Sequence, residues 1–186
     1  MRIISGKFKG KKLFSPNNNL IRPTSDRAKE MIFNTLNSYF LNKNINFKNL
    51  IVLDCFCGSG AIGLEFLSRG SKEVIFVDNC LESINLTKKN FYSLNSSQRA
   101  TFLNIDYKKI RLSESKINFF YLDPPYKKIN IKDILFSFSI TKILEKNVLG
   151  IIELPVDYES DNLEGYEVWL KKRISRSLFY FIKKIN

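Results

Sequence analysis

The chain of 186 residues contains no histidine, so it has neither imidazole metal ligands nor the commonest general base. Its three cysteines, Cys55, Cys57 and Cys80, form no C-x-x-C pair. A structural zinc site is therefore not expected, and reduced thiols are. No run of about 18 uninterrupted apolar residues is present, and the opening "MRIISGKFKGKKLF" lacks the apolar stretch of a secretory signal. A cytoplasmic protein without a membrane span is the expectation. Internal repeats and low-complexity tails are also missing. What remains is enough chain for one domain with a real core and a small appendage.

Charge is present in excess of one sign. The net charge is +12, which suits a polyanionic partner such as nucleic acid. Lysine outnumbers arginine 22 to 8, and Asn, Ile, Phe and Ser are abundant, a bias that an A+T-rich genome also produces. Placement is thus more telling than the total. Five of the first twelve residues are basic: Arg2, Lys7, Lys9, Lys11 and Lys12.

Residues 1 to 14 read as a short hairpin, with Ser5-Gly6 and Lys9-Gly10 at turn positions. In "IRPTSDRAKEMIFNTLNSYF", Thr24, Ser25 or Asp26 can cap a helix whose Ala28, Met31, Ile32, Leu36 and Phe40 fall largely on one face. From residue 50 apolar strands alternate with helices. The strands are "LIVLDCF", "EVIFVD", "ATFLNI", "INFFYL" and "VLGIIEL"; the helices are "GAIGLEFLSRG", "CLESINLTKKNFYSL" and "IKDILFSFSITKIL". That alternation means a parallel sheet covered on both faces. "YEVWLKKRIS" and "RSLFYFIKKI" follow each other directly and read as a terminal antiparallel hairpin, with Trp169 and Phe179 to Phe181 as core rather than a platform for stacking bases. The expected fold class is α/β: a mostly parallel, seven-stranded, Rossmann-like sheet ending in a hairpin, the arrangement of the class I methyltransferases.

Gly58, Gly60 and Gly63 form G-x-G-x-x-G between the first strand and its helix, and Asp78 ends the second strand twenty residues after Gly58. A nicotinamide dinucleotide satisfies this pattern. S-adenosylmethionine satisfies it too, because the physics requires only a tight turn with exposed backbone and an acid that accepts from ribose hydroxyls. Asp54 favours the latter: a carboxylate would repel a pyrophosphate and attract the cationic methionine end. The competing role for Asp54 is to face away and cap a neighbouring amide.

"DPPY", Asp123 to Tyr126, ends the fourth strand, since neither proline can extend a sheet ladder or enter a helix. It therefore falls at the rim that carries the glycine loop. An exocyclic purine amine is a poor nucleophile because its lone pair is delocalised into the ring. Two acceptors on its hydrogens, the Asp123 carboxylate and the Pro124 carbonyl, favour localising that pair. The prolines hold the carbonyl in place, and Tyr126 can stack on the base. No histidine is needed, because the methylated amine is acidic enough to lose its proton to Asp123 or water.

"RIISGKFKGKKL", "RPTSDRAKEMIFNTL", "VLDCFCGSGAIGLE", "FVDN" and "LDPPY" together resemble the bacterial RsmD family, which methylates the exocyclic N2 of one guanine in 16S ribosomal RNA. The resemblance runs in order over nearly the whole chain. It implies S-adenosylmethionine as cofactor, with a pocket formed by Asp54, Cys57, Gly58, Ser59, Gly60, Asp78 and Asn79, by Asp106 at the adenine amine, and by Arg22 and Thr24. Asp123, Pro124, Pro125 and Tyr126 would be catalytic, and Arg2, Lys7, Lys9, Lys11, Lys12 and Arg27 would meet RNA. The implied partner is 16S rRNA in a small subunit or assembly intermediate, met by a monomer without metal. Residues 1–48 would contact RNA and complete the pocket, and 49–186 would form the methyltransferase domain, the two making effectively one domain. The helix usual between the fifth strand and the hairpin looks shortened or absent in "VDYESDNLEGYE".

Three alternatives stand beside this. A DNA adenine-N6 methyltransferase uses the same motif, but the chain has no extra domain to read DNA. A nicotinamide oxidoreductase fits the literal glycine pattern without a hydride-transfer partner. A non-catalytic RNA-binding module would keep the fold and charge alone.

Overall fold

A computed structural model of the chain describes residues 1–15, 24–112, 116–125, 130–158 and 162–185. Helix α1, Asp26–Lys43, starts where Ser25 accepts the Ala28 amide at 3.2 Å and ends where Asn44 turns left-handed at φ 53°. Ala28, Ile32, Phe33, Leu36 and Phe40 are buried along one face. Lys29 is buried among them, a residue no apolar periodicity would place there.

The strands are β1 Ile51–Cys55, β2 Glu73–Asp78, β3 Arg99–Asn104, β4 Ile117–Leu122, β5 Leu144–Pro155, β6 Tyr166–Ile174 and β7 Ser177–Lys184. Helices α2 Ala61–Ser68, α3 Leu81–Ser93 and α4 Ile131–Thr141 connect them. They form one seven-stranded sheet in the order β3-β2-β1-β4-β5-β7-β6. The first five strands pair in parallel; β7 is antiparallel to both β5 and β6. This is the α/β, Rossmann-like methyltransferase fold with a terminal hairpin. The order reverses between β1 and β4, so the carboxyl ends of those two strands frame the crevice where such sheets bind ligands.

Alternation sorts the side chains onto two faces. Val52, Phe76, Phe119, Ile151, Phe179 and Phe181 pack against the first 13 residues and α1 to α3, whereas Leu53, Ile75, Phe120, Leu122, Ile152 and Tyr180 pack against α4. Each fully buried Phe or Leu contributes about 1.5–3 kcal/mol of transfer free energy.

Three boundaries differ from expectation. The fourth helix stops at Thr141 because Lys142 turns left-handed at φ 51°, and β5 then starts at Leu144, ahead of the expected "VLGIIEL". The β4–β5 register shifts between Ile117 and Phe119, and this irregularity accommodates the longer strand. The N-terminal segment is held by a single antiparallel bridge, Arg2 to Lys12, rather than regular strands, with Gly6 and Gly10 at positive φ. Between β5 and β6 the described residues hold turns and no helix.

A buried ionic network docks that N-terminal segment. Glu65 of α2 accepts the Ile4 amide at 2.6 Å and pairs with Arg69 and with Lys29, whose Nζ lies 3.7 Å from it. Lys29 also reaches Asp26 at 3.1 Å and donates to the Arg2 carbonyl. Ser68 anchors the loop further on, its carbonyl accepting the Lys7 amide at 2.7 Å and its hydroxyl oxygen the Phe8 amide at 3.0 Å. A carboxylate buried this deeply is tolerable only with such partners.

Candidate functional site

The carboxyl ends of β1, β2, β4 and β5, the start of β7 and the N-terminus of α1 enclose a cavity of about 470 Å³. Its size falls in the range of small-molecule sites. Its lining brings together the glycine loop with Asp54, Asp78 and Asn79, the segment Asp123, Pro124 and Pro125 with Tyr121, Glu153 and Ser177, and Thr24, Ser25 and Ala28 of the α1 N-terminus.

Asp54 caps a neighbouring amide without turning away from the cavity. It lines the cavity, and its Oδ2 accepts the Gly63 amide at 2.8 Å. Burial pushes its pKa up to about 7, against the pull of that hydrogen bond and with help from the charge of Asp78. A cation placed beside it would reverse much of that cost.

Asp78 organises the loop. Its Oδ2 accepts the Gly58 amide at 3.0 Å and its Oδ1 the Cys80 amide at 2.9 Å, leaving each oxygen a further lone pair for a ligand hydroxyl. Two residues of α3 hold the loop from behind: the Thr87 hydroxyl donates to the Gly58 carbonyl at 3.1 Å, and the Asn90 side chain donates to the Ser59 carbonyl at 3.0 Å. Asn90 also accepts the Phe14 amide at 2.7 Å, so it ties the N-terminal segment to the loop. Nothing in the sequence pattern marks Thr87 or Asn90, because both look like ordinary polar positions of a surface helix.

The glycines divide their work. Gly58 lines the cavity at φ 56°, but Gly60 does not. Its φ of 74° and the Thr87 methyl, 2.6 Å from where a Cβ would stand, give Gly60 a packing reason to be glycine. A Cβ on Gly63 would sit 2.2 Å from the Phe76 ring, which fits the helix–strand packing role of a third glycine. Cys57, Ser59, Asn79 and Thr24 also line the cavity. Asp106 lies outside it, in a shallow adjoining depression bounded by Phe56, Asp78 and Asn79. Arg22 and Tyr126 fall outside the described residues. Burial pushes the Cys55 and Cys57 thiols well up, so neither offers a thiolate nucleophile.

Of the basic residues, Arg2, Lys7, Lys9, Lys11, Lys12 and Arg27 are all exposed, and Arg2 also bonds Asp26 at 3.0 Å. A second basic group escaped the sequence reading. The β6–β7 turn contributes Ile174, Ser175 and Ser177 to the cavity wall and carries exposed Arg173 and Arg176 beside them. Phe56 was missed as well: a non-glycine residue at φ 64°, it stands between the main cavity and the depression at Asp106. So was the buried trio in which the Tyr121 hydroxyl donates to Glu153 at 2.5 Å and the Ser177 hydroxyl does so at 2.6 Å. Strand patterning reads Tyr121 and Glu153 as the tail of apolar runs, and no motif brings them together with Ser177.

The residues present suit S-adenosylmethionine: a buried acid for a cationic group, a second acid with free lone pairs for a ribose, and exposed loop backbone between them.

Comparison with known proteins follows the same line. The family model described as "Conserved hypothetical protein 95" matches residues 1–183. YlbH of Bacillus subtilis is 32% identical over 176 residues, 92% of each chain. Ribosomal RNA small subunit methyltransferase D of Haemophilus influenzae is 37% identical over 130 residues, 68% of this chain and 64% of that one. Among solved structures, yhhF from Escherichia coli superposes with a TM-score of 0.81 at 22% identity, covering 99% of this chain and 97% of the other. A SAM dependent methyltransferase from Aquifex aeolicus gives 0.60 at 15% identity over 79% and 89%. With the family model covering nearly every residue and a relative matched along almost its full length, the chain belongs to the RsmD family.

Proposed function

We propose that the chain is an S-adenosylmethionine-dependent methyltransferase acting on the exocyclic N2 of a guanine in small-subunit ribosomal RNA. The observation that carries this is one cavity whose lining holds Asp54, Asp78 and the glycine loop together with Asp123-Pro124-Pro125. Membership of the RsmD family and a relative named for small-subunit rRNA methylation support the choice of RNA.

When bound, S-adenosylmethionine supplies an electrophilic methyl group. The protein's own residues do the rest. Asp54 would face the cofactor's cationic end, and Asp78 would accept from its ribose hydroxyls. Asp106, beyond Phe56, is within the same rim for the adenine amine. Asp123 and the Pro124 carbonyl accept the two N2 hydrogens, which localises the amine lone pair for attack. Transfer would form the nitrogen–methyl bond as the sulfur–methyl bond breaks and leaves a neutral thioether, and the surplus proton of the methylated amine would pass to Asp123 or water. Tyr126 stacks on the base. Most of the acceleration is positioning.

Lys7, Lys9, Lys11, Lys12 and Arg27, with Arg173 and Arg176 at the rim, would contact RNA phosphates. The test is to incubate the purified protein with radiolabelled S-adenosylmethionine and small subunits from cells lacking the enzyme, then map the label. Guanine N2 is the expected position. Label appearing instead on adenine N6 of duplex DNA would overturn the RNA assignment.

A further inference from the structure

Glu153 has no part in the chemistry above, yet it is a carboxylate in the wall of the reaction cavity. Leu122 pairs in register with Ile152, so Asp123, the first residue past the end of β4, falls beside Glu153 of β5, roughly one strand spacing of 4.8 Å away. Both continue the sheet face that carries Tyr121 and Asp54. The Tyr121 and Ser177 hydroxyls each give one hydrogen bond to a different oxygen of Glu153. A carboxylate has about four lone-pair positions, so one on each oxygen is left over. Burial, then the charges of Glu153 and Asp123, hold the Tyr121 hydroxyl protonated at any working pH, so it stays a donor.

If the trio served only to tie β4, β5 and β7 together, a neutral acceptor would do so without the cost of burying a charge. What an acceptor-only group adds is discrimination. Guanine presents the N1–H donor next to its N2 amine, whereas adenine and 2,6-diaminopurine present a bare N1 acceptor. We propose that Glu153 selects guanine: its carboxylate accepts the ring N1–H while the neighbouring Asp123 accepts from the N2 amine. This rests on the guanine-N2 reading above. A base with an N1 acceptor would set lone pair against lone pair in a desolvated wall.

The test uses small subunits reconstituted with 16S rRNA carrying either guanine or 2,6-diaminopurine at the mapped nucleotide; both bases offer an N2 amine. Wild-type protein is expected to prefer guanine roughly 10- to 100-fold in kcat/KM. In Glu153→Gln, whose amide can donate to a bare N1, the ratio should collapse toward one or invert, with S-adenosylmethionine affinity unchanged. Equal use of both bases by wild-type protein, or a preference that persists in Glu153→Gln, overturns the assignment of Glu153 and leaves the guanine-N2 reading standing. No transfer to the guanine particle by wild-type protein overturns that reading and this inference with it. Should Glu153→Gln fail to fold, Glu153→Asp keeps the charge but withdraws it by one methylene. That variant should lose about tenfold or more of guanine turnover with cofactor affinity retained; full turnover would refute the contact.

Discussion

The Asp78 carboxylate and the Gly58 amide lie 3.0 Å apart, so the acid expected to hold a ribose already holds the loop that frames it. One side chain therefore shapes the pocket and completes it. Asp78→Ala removes the Gly58 and Cys80 hydrogen bonds together. Each bond to a charged acceptor is worth about 1.5–3 kcal/mol. Discounted for partial exposure, the variant should lose about 2 kcal/mol in urea unfolding, and calorimetric titration should show cofactor affinity falling about 100-fold or more.

Asp54 makes both affinity and stability depend on pH, in opposite senses. In the cofactor-free protein its pKa is about 7, against about 4 for an unfolded chain. Between those values the unfolded state ionises while the folded state keeps its proton. This contribution to stability therefore falls as pH rises from about 4 to 7 and is level above. A bound cation favours the ionised form, so binding releases a proton below pH 7. Affinity should rise with pH by up to about tenfold per unit and flatten near 7. Titrations in buffers of different ionisation enthalpy will register the released proton. Asp54→Asn should bind more weakly and with a flat profile.

Asp123→Ala should abolish methyl transfer while leaving S-adenosylmethionine affinity within about threefold, a change of under 1 kcal/mol. Single-turnover assays paired with equilibrium binding separate these quantities. Wild-type turnover in the variant would remove Asp123 from the chemistry.

Replacing Lys7, Lys9, Lys11 and Lys12 by Ser tests whether the exposed N-terminal lysines meet phosphate. Each lost contact should reduce the slope of log K against log salt by roughly 0.7–0.9. Filter binding between low and moderate salt is sufficient to measure it. An unchanged slope would leave these lysines as compositional bias.

Gly63→Ala probes the close approach of α2 to the sheet. A methyl group there meets the Phe76 ring at 2.2 Å and Asp54 Oδ2 at 2.9 Å. Neither neighbour has room to move, so a loss of about 1–3 kcal/mol in thermal or urea unfolding is expected.

Much of this was legible in the chain before folding. The strands "EVIFVD" and "INFFYL" match β2 and β4 to the residue, because continuous apolar runs bounded by charged or rigid residues leave little freedom in register. The glycine loop and Asp123 could be placed at one rim from topology alone. What escaped was set by long-range partners. Asn90, Thr87 and Ser177 act on groups 24 to 76 residues away, and periodicity carries no information on such distances. Lys29 and Glu65 belong to apolar helix faces only because they find each other there, which no local pattern announces. The Thr87 methyl behind Gly60 was equally invisible, because the glycine spacing is the same whatever packs against it.

The place of β7 has a consequence for folding. It follows β6 in the chain yet inserts between β5 and β6 and brings Ser177 to Glu153. Without it, β5 is an open sheet edge, and the cavity lacks the wall that Ser177 and Phe179 contribute. A chain broken off near residue 175 would carry Asp54, Asp78 and Asp123 intact and still have no finished pocket. Closure of the pocket therefore depends on a strand that lies far along the chain from the acids it encloses.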